Sequence, residues 1–321
     1  MQSSSRRMAF ATPAVLRTSS LHAQPLREAA SSYPQRNNEA VQTRRNKSPC
    51  MLFNFGNLWS SKEPDTPQKW NWSIGYSYLA HPEKNTGEDA FFVEGNAIGV
   101  FDGVSGAFET RGVDPRLYSQ TLAANTREFV RELGAQNVVK AAYQAAATNE
   151  QIGASTACVV GMDRYARLFG INLGDSGVRI VRGNKLVFRT KEQQHFFNCP
   201  YQLGTDSEDA LAMGQNVQQK LQAGDWVIVA TDGLYDNMSD TDIVAMAAHA
   251  SDATELADSL GERAAVRAVD KQFVSPFMQA AMQAGVKWEG GKADDITVVV
   301  ARVEDDESLL STSLLSTLAE A

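Results

Sequence analysis

The stretch Asp225-Trp226-Val227-Ile228-Val229-Ala230-Thr231-Asp232-Gly233-Leu234-Tyr235-Asp236-Asn237 decides the fold. Asp225–Ala230 is a short run rich in β-branched residues and bounded by Gly and Asp, the pattern of a strand. It passes through Thr231 into Asp232-Gly233, a turn signal, and a second acid, Asp236, follows. Four other segments share this design. Ala97–Phe101 runs into Asp102-Gly103, and Leu168–Leu173 runs into Gly174-Asp175. Glu88-Asp89 precedes Ala90–Val93, and Asp294-Asp295 precedes Ile296–Val303. Five apolar strands each carry a carboxylate at one end.

Further strands are expected at Thr156–Gly161, Val178–Arg182 and Lys185–Arg189. Gly183-Asn184 between the last two is a hairpin signal, so part of the sheet is antiparallel. Asp114-Pro115 opens a helix with a cap residue and Pro at the first helical position. Its apolar residues Leu117, Leu122 and Phe129 are expected on one core face, and Gly134 ends it near Leu133. Other helices are expected from Val138 to about Asn149, over Thr241–Ala250, over Ala253–Ala268 and over Pro276–Ala284. Strands and helices fall in blocks, without the regular strand-helix-strand repetition of a doubly wound sheet. The fold class is therefore α+β, a layered sheet sandwich flanked by helices.

A buried strand end is a poor place for isolated anions, because desolvation disfavours the charged form. Several converging carboxylates persist there when hard cations neutralise them, and Mg²⁺ and Mn²⁺ favour oxygen ligands. Two such ions sharing a carboxylate activate a water and offset charge on a phosphoryl group. Taken singly, each Asp-Gly is an ordinary turn and Asp294-Asp295 an ordinary strand edge. The ordered set of five argues for chemistry.

That ordered set resembles the metal-dependent serine/threonine phosphatases of the protein phosphatase 2C family. The resemblance rests on Gly87-Glu88-Asp89, Phe101-Asp102-Gly103-Val104-Ser105-Gly106, Gly153-Ala154-Ser155-Thr156-Ala157, Asn172–Gly177, Ala230–Asn237 and Asp294-Asp295-Ile296-Thr297. It covers about residues 70–303. Gly112-Val113-Asp114-Pro115 and Glu192–Asn198 are similar to the family's organellar, mitochondrial branch. The resemblance implies a four-layer sandwich, two packed antiparallel sheets with helices outside, and two Mn²⁺ or Mg²⁺ ions at one end. Asp102 would bridge the ions, with Asp232 and Asp294 on the first, and Glu88 and the Gly103 carbonyl on the second. Asp89 and Asp295 would support them, and Asp175, Asp232 and Asp236 resemble the ligands of a weaker third ion. Gly153–Ala157 reads as a close-packed strand start.

Two departures from the family pattern stand out. Many members place an Arg for the substrate phosphate where this chain has Lys84, which keeps the charge but not the bidentate fork. Many also carry a His, proposed as general acid, where this chain has Val104. His195 and His81 are weaker candidates for that proton. Phosphoserine and phosphothreonine proteins are the implied substrates of a monomeric enzyme. A catalytically silent, metal-binding interaction module is the alternative, although no expected ligand is lost. A haloacid-dehalogenase-type phosphotransferase, suggested by Val100-Phe101-Asp102-Gly103, needs an Asp at position 104 and ranks last.

The chain of 321 residues is 43% apolar and carries a net charge of −8. That composition builds a core and argues against a chain-wide basic surface for nucleic acid. No run approaches the ~18 apolar residues of a spanning helix. The three cysteines, Cys50, Cys158 and Cys199, suggest neither a disulfide framework nor a zinc site. The charge is unevenly spread. Residues 1–49 hold seven Arg and one Lys against Glu28 and Glu39, a net of +6 that leaves −14 on the remainder. A basic, Ser-rich, acid-poor leader is the pattern of a transit peptide, with the mitochondrion expected and the plastid as alternative. Residues 50–69 read as a linker around Pro64 and Pro67, residues 70–303 as the catalytic domain and residues 304–321 as a separate tail. Residues 1–49 fused to a fluorescent protein are expected to carry it into mitochondria, and a fusion that stays in the cytosol contradicts the leader reading.

Overall fold

The computed structural model describes residues 70–104, 113–205 and 207–305. Every described residue belongs to one compact unit. The leader, the linker, Ser105–Gly112 and residues 306–321 of the tail lie outside the described residues.

Two five-stranded antiparallel sheets form the centre. The first has the order β1 (Trp70–Leu79), β14 (Ile296–Asp305), β13 (Trp226–Ala230), β7 (Gly177–Arg182) and β8 (Lys185–Arg189). The second runs β12 (Gln215–Lys220), β6 (Arg167–Leu173), β5 (Ala157–Met162), β3 (Ala97–Phe101) and β2 (Ala90–Glu94). Short strands β4 (Ala154–Ser155), β9 (Gln194–Phe196), β10 (Cys199–Pro200) and β11 (Leu203–Gly204) pair outside them. Arg182 pairs with Lys185 across the Gly183-Asn184 hairpin.

Alternation along β13 explains its all-apolar sequence. Val227 and Val229 enter the core between the sheets, with Val100, Val160, Ile180 and Val299. Ile228 and Ala230 point the other way, into a core shared with Ile243, Leu256 and Leu260. Those three residues come from helices α4 (Asp240–Ala247) and α5 (Ala253–Ala268). On the opposite side, Ala97, Phe101 and Val159 pack under α1 (Pro115–Leu133) and α2 (Val138–Thr148). The result is helix, sheet, sheet, helix, the four layers expected. Both faces of each central strand are covered, so neither face needs polar residues.

The first helix departs from the expectation in one respect. Leu117 is 51% exposed, whereas Tyr118, Leu122 and Val130 are buried and Phe129 is partly buried. At about 100° per residue, Leu117 lies roughly 140° around the helix from Leu122 and cannot share its face. Strands β1 and β12 were not among the expected elements. Among the described residues no helix is long and apolar enough to cross a membrane.

Two contacts tie the outer helices to the strand ends. The first turn of α5 lies against β1 at Gly75, where a Cβ would sit 2.3 Å from the Ala253 carbonyl oxygen. Arg267 near the end of α5 grips Asp242 through two donors, at 2.8 and 3.1 Å, and also donates to the Asn237 carbonyl at 3.4 Å. Asp242 forms a capping box with Ser239. Arg267, followed by the Ser239 hydrogen bonds, lowers the Asp242 carboxyl to about 2. Its value in the folded chain is thus below the ordinary 3.8, so its contribution to stability is complete above about pH 4 and fades as pH falls through about 2. The Asp242→Asn variant is expected to be less stable at neutral pH and to have a flatter acid limb in this window, measured by thermal unfolding against pH.

Candidate metal centre

Antiparallel pairing brings the acidic strand ends to one end of the sandwich. Ala90 pairs with Phe101, so Glu88-Asp89 before β2 and Asp102-Gly103 after β3 emerge side by side. Ala230 pairs with Val298, which sets Asp232 beside Asp294-Asp295. Ala157 pairs with Leu173, ahead of Gly174-Asp175. Asp102, Asp175 and Asp232 each offer a carboxylate oxygen, all within 4.8 Å of one another.

The surrounding backbone is built to hold these groups. The Asp102 amide donates to Thr156 Oγ1 at 3.2 Å, and the Thr156 amide donates to the Asp102 carbonyl at 2.9 Å. Gly103 bridges to Ser155, and a Cβ at Gly103 would sit 2.5 Å from the Glu88 carbonyl oxygen. Only glycine lets these two acidic loops meet. Ser119 Oγ of α1 donates to that same Glu88 carbonyl at 2.6 Å. Asp295 accepts from the amides of His81 and Glu88, both at 2.6 Å, and so fixes the loop that carries Glu88.

Asp89 is buried, and its Oδ2 accepts from the hydroxyls of Thr231 at 2.8 Å and Thr297 at 2.7 Å. Its Oδ1 has no partner among the described residues. Asp175 receives a 3.4 Å contact from Gln194 Nε2, and its Oδ1 is likewise unpartnered. Lys84 Nζ lies 3.0 Å from Glu88 and is a third exposed.

Lys292 is the functional residue that sequence reasoning missed. Its Nζ lies 2.5 Å from Asp232, 2.7 Å from Asp236 and 3.0 Å from Asp294. A lone lysine in Gly290-Gly291-Lys292-Ala293 reads as a solvated loop residue. The only available signal was its place two positions before Asp294.

Burial, and then the charge of Asp232, push the carboxyl of Asp102 well above the usual range and that of Asp175 to about 8. Burial also leads the rises at Asp89, Asp236 and Asp294. An all-oxygen donor set that cannot comfortably ionise by itself, with an unpartnered oxygen on Asp89 and another on Asp175, fits hard divalent cations.

The two candidate histidines have partners of their own. His195 pairs with Asp209 at 2.9 Å and stacks on Tyr201. His81 Nδ1 accepts from the Glu83 amide at 3.1 Å. Val104 donates its amide to the Ala154 carbonyl at 2.9 Å, and its side chain offers no proton.

A family model described as Stage II sporulation protein E (SpoIIE) matches residues 111–304. Probable protein phosphatase 2C 55 of Arabidopsis thaliana is 39% identical over 240 residues, which are 71% of this chain and 51% of that protein. The chain thus spans about half the length of that relative. Protein phosphatase PTC7 homolog of Homo sapiens is 36% identical over 247 residues, covering 68% of this chain and 80% of that protein. Among solved structures, the photosystem II phosphatase PBCP superposes with a TM-score of 0.66 at 31% identity, over 72% of this chain and 98% of that one. The catalytic domain of the serine/threonine protein phosphatase PstP, solved with two manganese ions, gives 0.54 at 17% identity over 74% of this chain and 100% of that one, a likeness of fold. The chain belongs to the protein phosphatase 2C family of metal-dependent phosphatases.

Removing the Thr297 hydroxyl withdraws one of the two donors from a buried carboxylate. Thr297→Val is expected to cost about 1–3 kcal/mol of stability, measured by denaturant unfolding.

Proposed function

We propose that this chain hydrolyses phosphoserine and phosphothreonine in proteins, using two Mn²⁺ or Mg²⁺ ions held at the acidic end of the sandwich. The observation that carries the reading is the convergence of Asp102, Asp175 and Asp232 within 4.8 Å, at the strand ends where Glu88 and Asp294 also emerge. Asp102 would be shared between the ions, with Asp232 and Asp294 on one side, and Glu88 and the Gly103 carbonyl on the other. Bound there, the ions supply a water of lowered pKa and offset charge on the phosphoryl group.

The chain's own groups divide the remaining work. Asp295 and Ser119 hold the Glu88 loop in register, and Thr231 and Thr297 anchor Asp89 behind it. Lys84, beside Glu88 at the rim, presents a compact positive charge for the incoming phosphate dianion, without the geometric selectivity of a guanidinium. No side-chain acid stands at position 104, so the leaving oxygen takes its proton from water.

The basic, Ser-rich leader and the similarity to the organellar branch support action inside an organelle, the mitochondrion being our reading. The likeness to the photosystem II phosphatase favours the plastid as a second reading.

The full chain is expected to hydrolyse phosphoserine and phosphothreonine peptides only with Mn²⁺ or Mg²⁺ present. Asp232→Asn is expected to lower kcat/KM by at least about a hundredfold while the fold is retained. Undiminished turnover in excess chelator would sink the proposal.

A further inference from the structure

The sequence resemblance assigns Asp175, Asp232 and Asp236 to a weaker third ion, yet Lys292 Nζ occupies two of these three carboxylates. It lies 2.5 Å from Asp232 Oδ2 and 2.7 Å from Asp236 Oδ2, with Asp294 Oδ2 at 3.0 Å. An ammonium has three donors, and each has a carboxylate oxygen within reach. The lysine side chain is only 12% exposed, and the Phe277 ring lies 5.1 Å from Nζ. Bulk water and free ions therefore reach it poorly.

The backbone is built to deliver this ammonium. Asn237 Nδ2 donates to the Lys292 carbonyl at 2.9 Å, and Asn237 Oδ1 accepts from the Lys292 amide at 3.0 Å. The same Nδ2 also donates to the Gly233 carbonyl at 2.9 Å. One asparagine thus locks Lys292 to the turn that carries Asp232 and Asp236. The Asp236 carbonyl accepts from the Phe277 amide at 3.1 Å, which places the ring beside the same turn.

We propose that Lys292 is the third cation of this centre: a tethered ammonium stands where a third divalent ion would bind, and Asp236 is its ligand rather than a metal ligand. The inference rests on the metal-centre reading above. A covalently attached cation does not dissociate, so an ion entering from solution must first displace it. Lys292 is accordingly a positioning residue. It holds Asp232 and Asp294 for the first of the other two ions and limits the chain to those two.

The test counts Mn²⁺ on the full-length chain from the electron paramagnetic resonance signal of the free ion, with no turnover required. The wild-type chain is expected to bind two Mn²⁺ and to show no third below millimolar concentration. Lys292→Met, whose fold is checked by circular dichroism, is expected to gain a third ion or to tighten its weakest step by about tenfold or more. Lys292→Arg retains the cation and the two-ion isotherm. Asp236→Asn in the otherwise wild-type chain leaves the two-ion isotherm unchanged, and it decides the question even if Lys292→Met does not fold. A Lys292→Met isotherm that superimposes on wild type overturns the proposal, as does a wild-type chain that loses one ion on Asp236→Asn. A wild-type chain that binds no Mn²⁺ removes both this inference and the metal-centre reading. Two ions bound without any change in Lys292→Met removes this inference alone.

Discussion

Like-charge repulsion at the buried end of the sandwich is the constraint that organises this molecule. Asp102, Asp175 and Asp232 hold oxygens within 4.8 Å of one another. At that separation two carboxylates repel by about 3–4 kcal/mol at an effective dielectric of about 20. Asp236 and Asp294 add to the same field, and burial weakens the hydration that would otherwise screen it. No apolar packing relieves such a term. It is met by hydroxyl donors on Asp89, backbone donors on Asp295 and an ammonium on Asp232, Asp236 and Asp294. The carboxylate oxygens not met in this way remain open to cations.

The two sheets make that concentration of charge tolerable. Every acidic segment either ends or begins a strand, and β3, β13 and the first six residues of β14 are fully buried, which keeps those backbone positions from drifting apart to lower the repulsion. Val227, Val229 and Val299 lie between the sheets, and Ile228 and Val300 lie beneath the helices. A group on the end of such a strand is positioned more tightly than one on a free loop. The close approach of Gly103 to the Glu88 carbonyl shows how little slack remains.

Legibility in the sequence followed the same division. The central strands announced themselves because covering both faces makes their sequences continuously apolar, as in Trp226–Ala230. Their acids then stood out by contrast. The edge strands were harder to read. Trp70–Leu79 interrupts its aromatic positions with Ser73, Gly75 and Ser77, and Gln215–Lys220 carries a single apolar residue, Val217. Leu117 was misplaced because a residue adjacent to a core position need not share its face. The short helix α3 (Asp232–Tyr235) follows β13 where the dipeptide Asp232-Gly233 suggests only a turn. Lys292 was invisible for a different reason. Its partners Asp232 and Asp236 lie 60 and 56 residues away, and no periodicity or spacing rule links a loop lysine to acids at that separation.

The segment Asp232–Asn237 therefore does more than supply ligands. Asp232 faces the other acids, Asp236 faces the ammonium, and Asn237 fixes the loop that carries the ammonium. Arg267 reaches the Asn237 carbonyl from α5, so the outer helix layer is fastened to the same turn. Two of the acids and the clamp are thus encoded within six residues, and the counter-charge, Lys292, is delivered to them from a distant loop. A family pattern that records only the acids captures the demand for cations. How many of those cations come from solution is set by residues, Lys292 and Asn237, whose role emerges only when the strands are packed together.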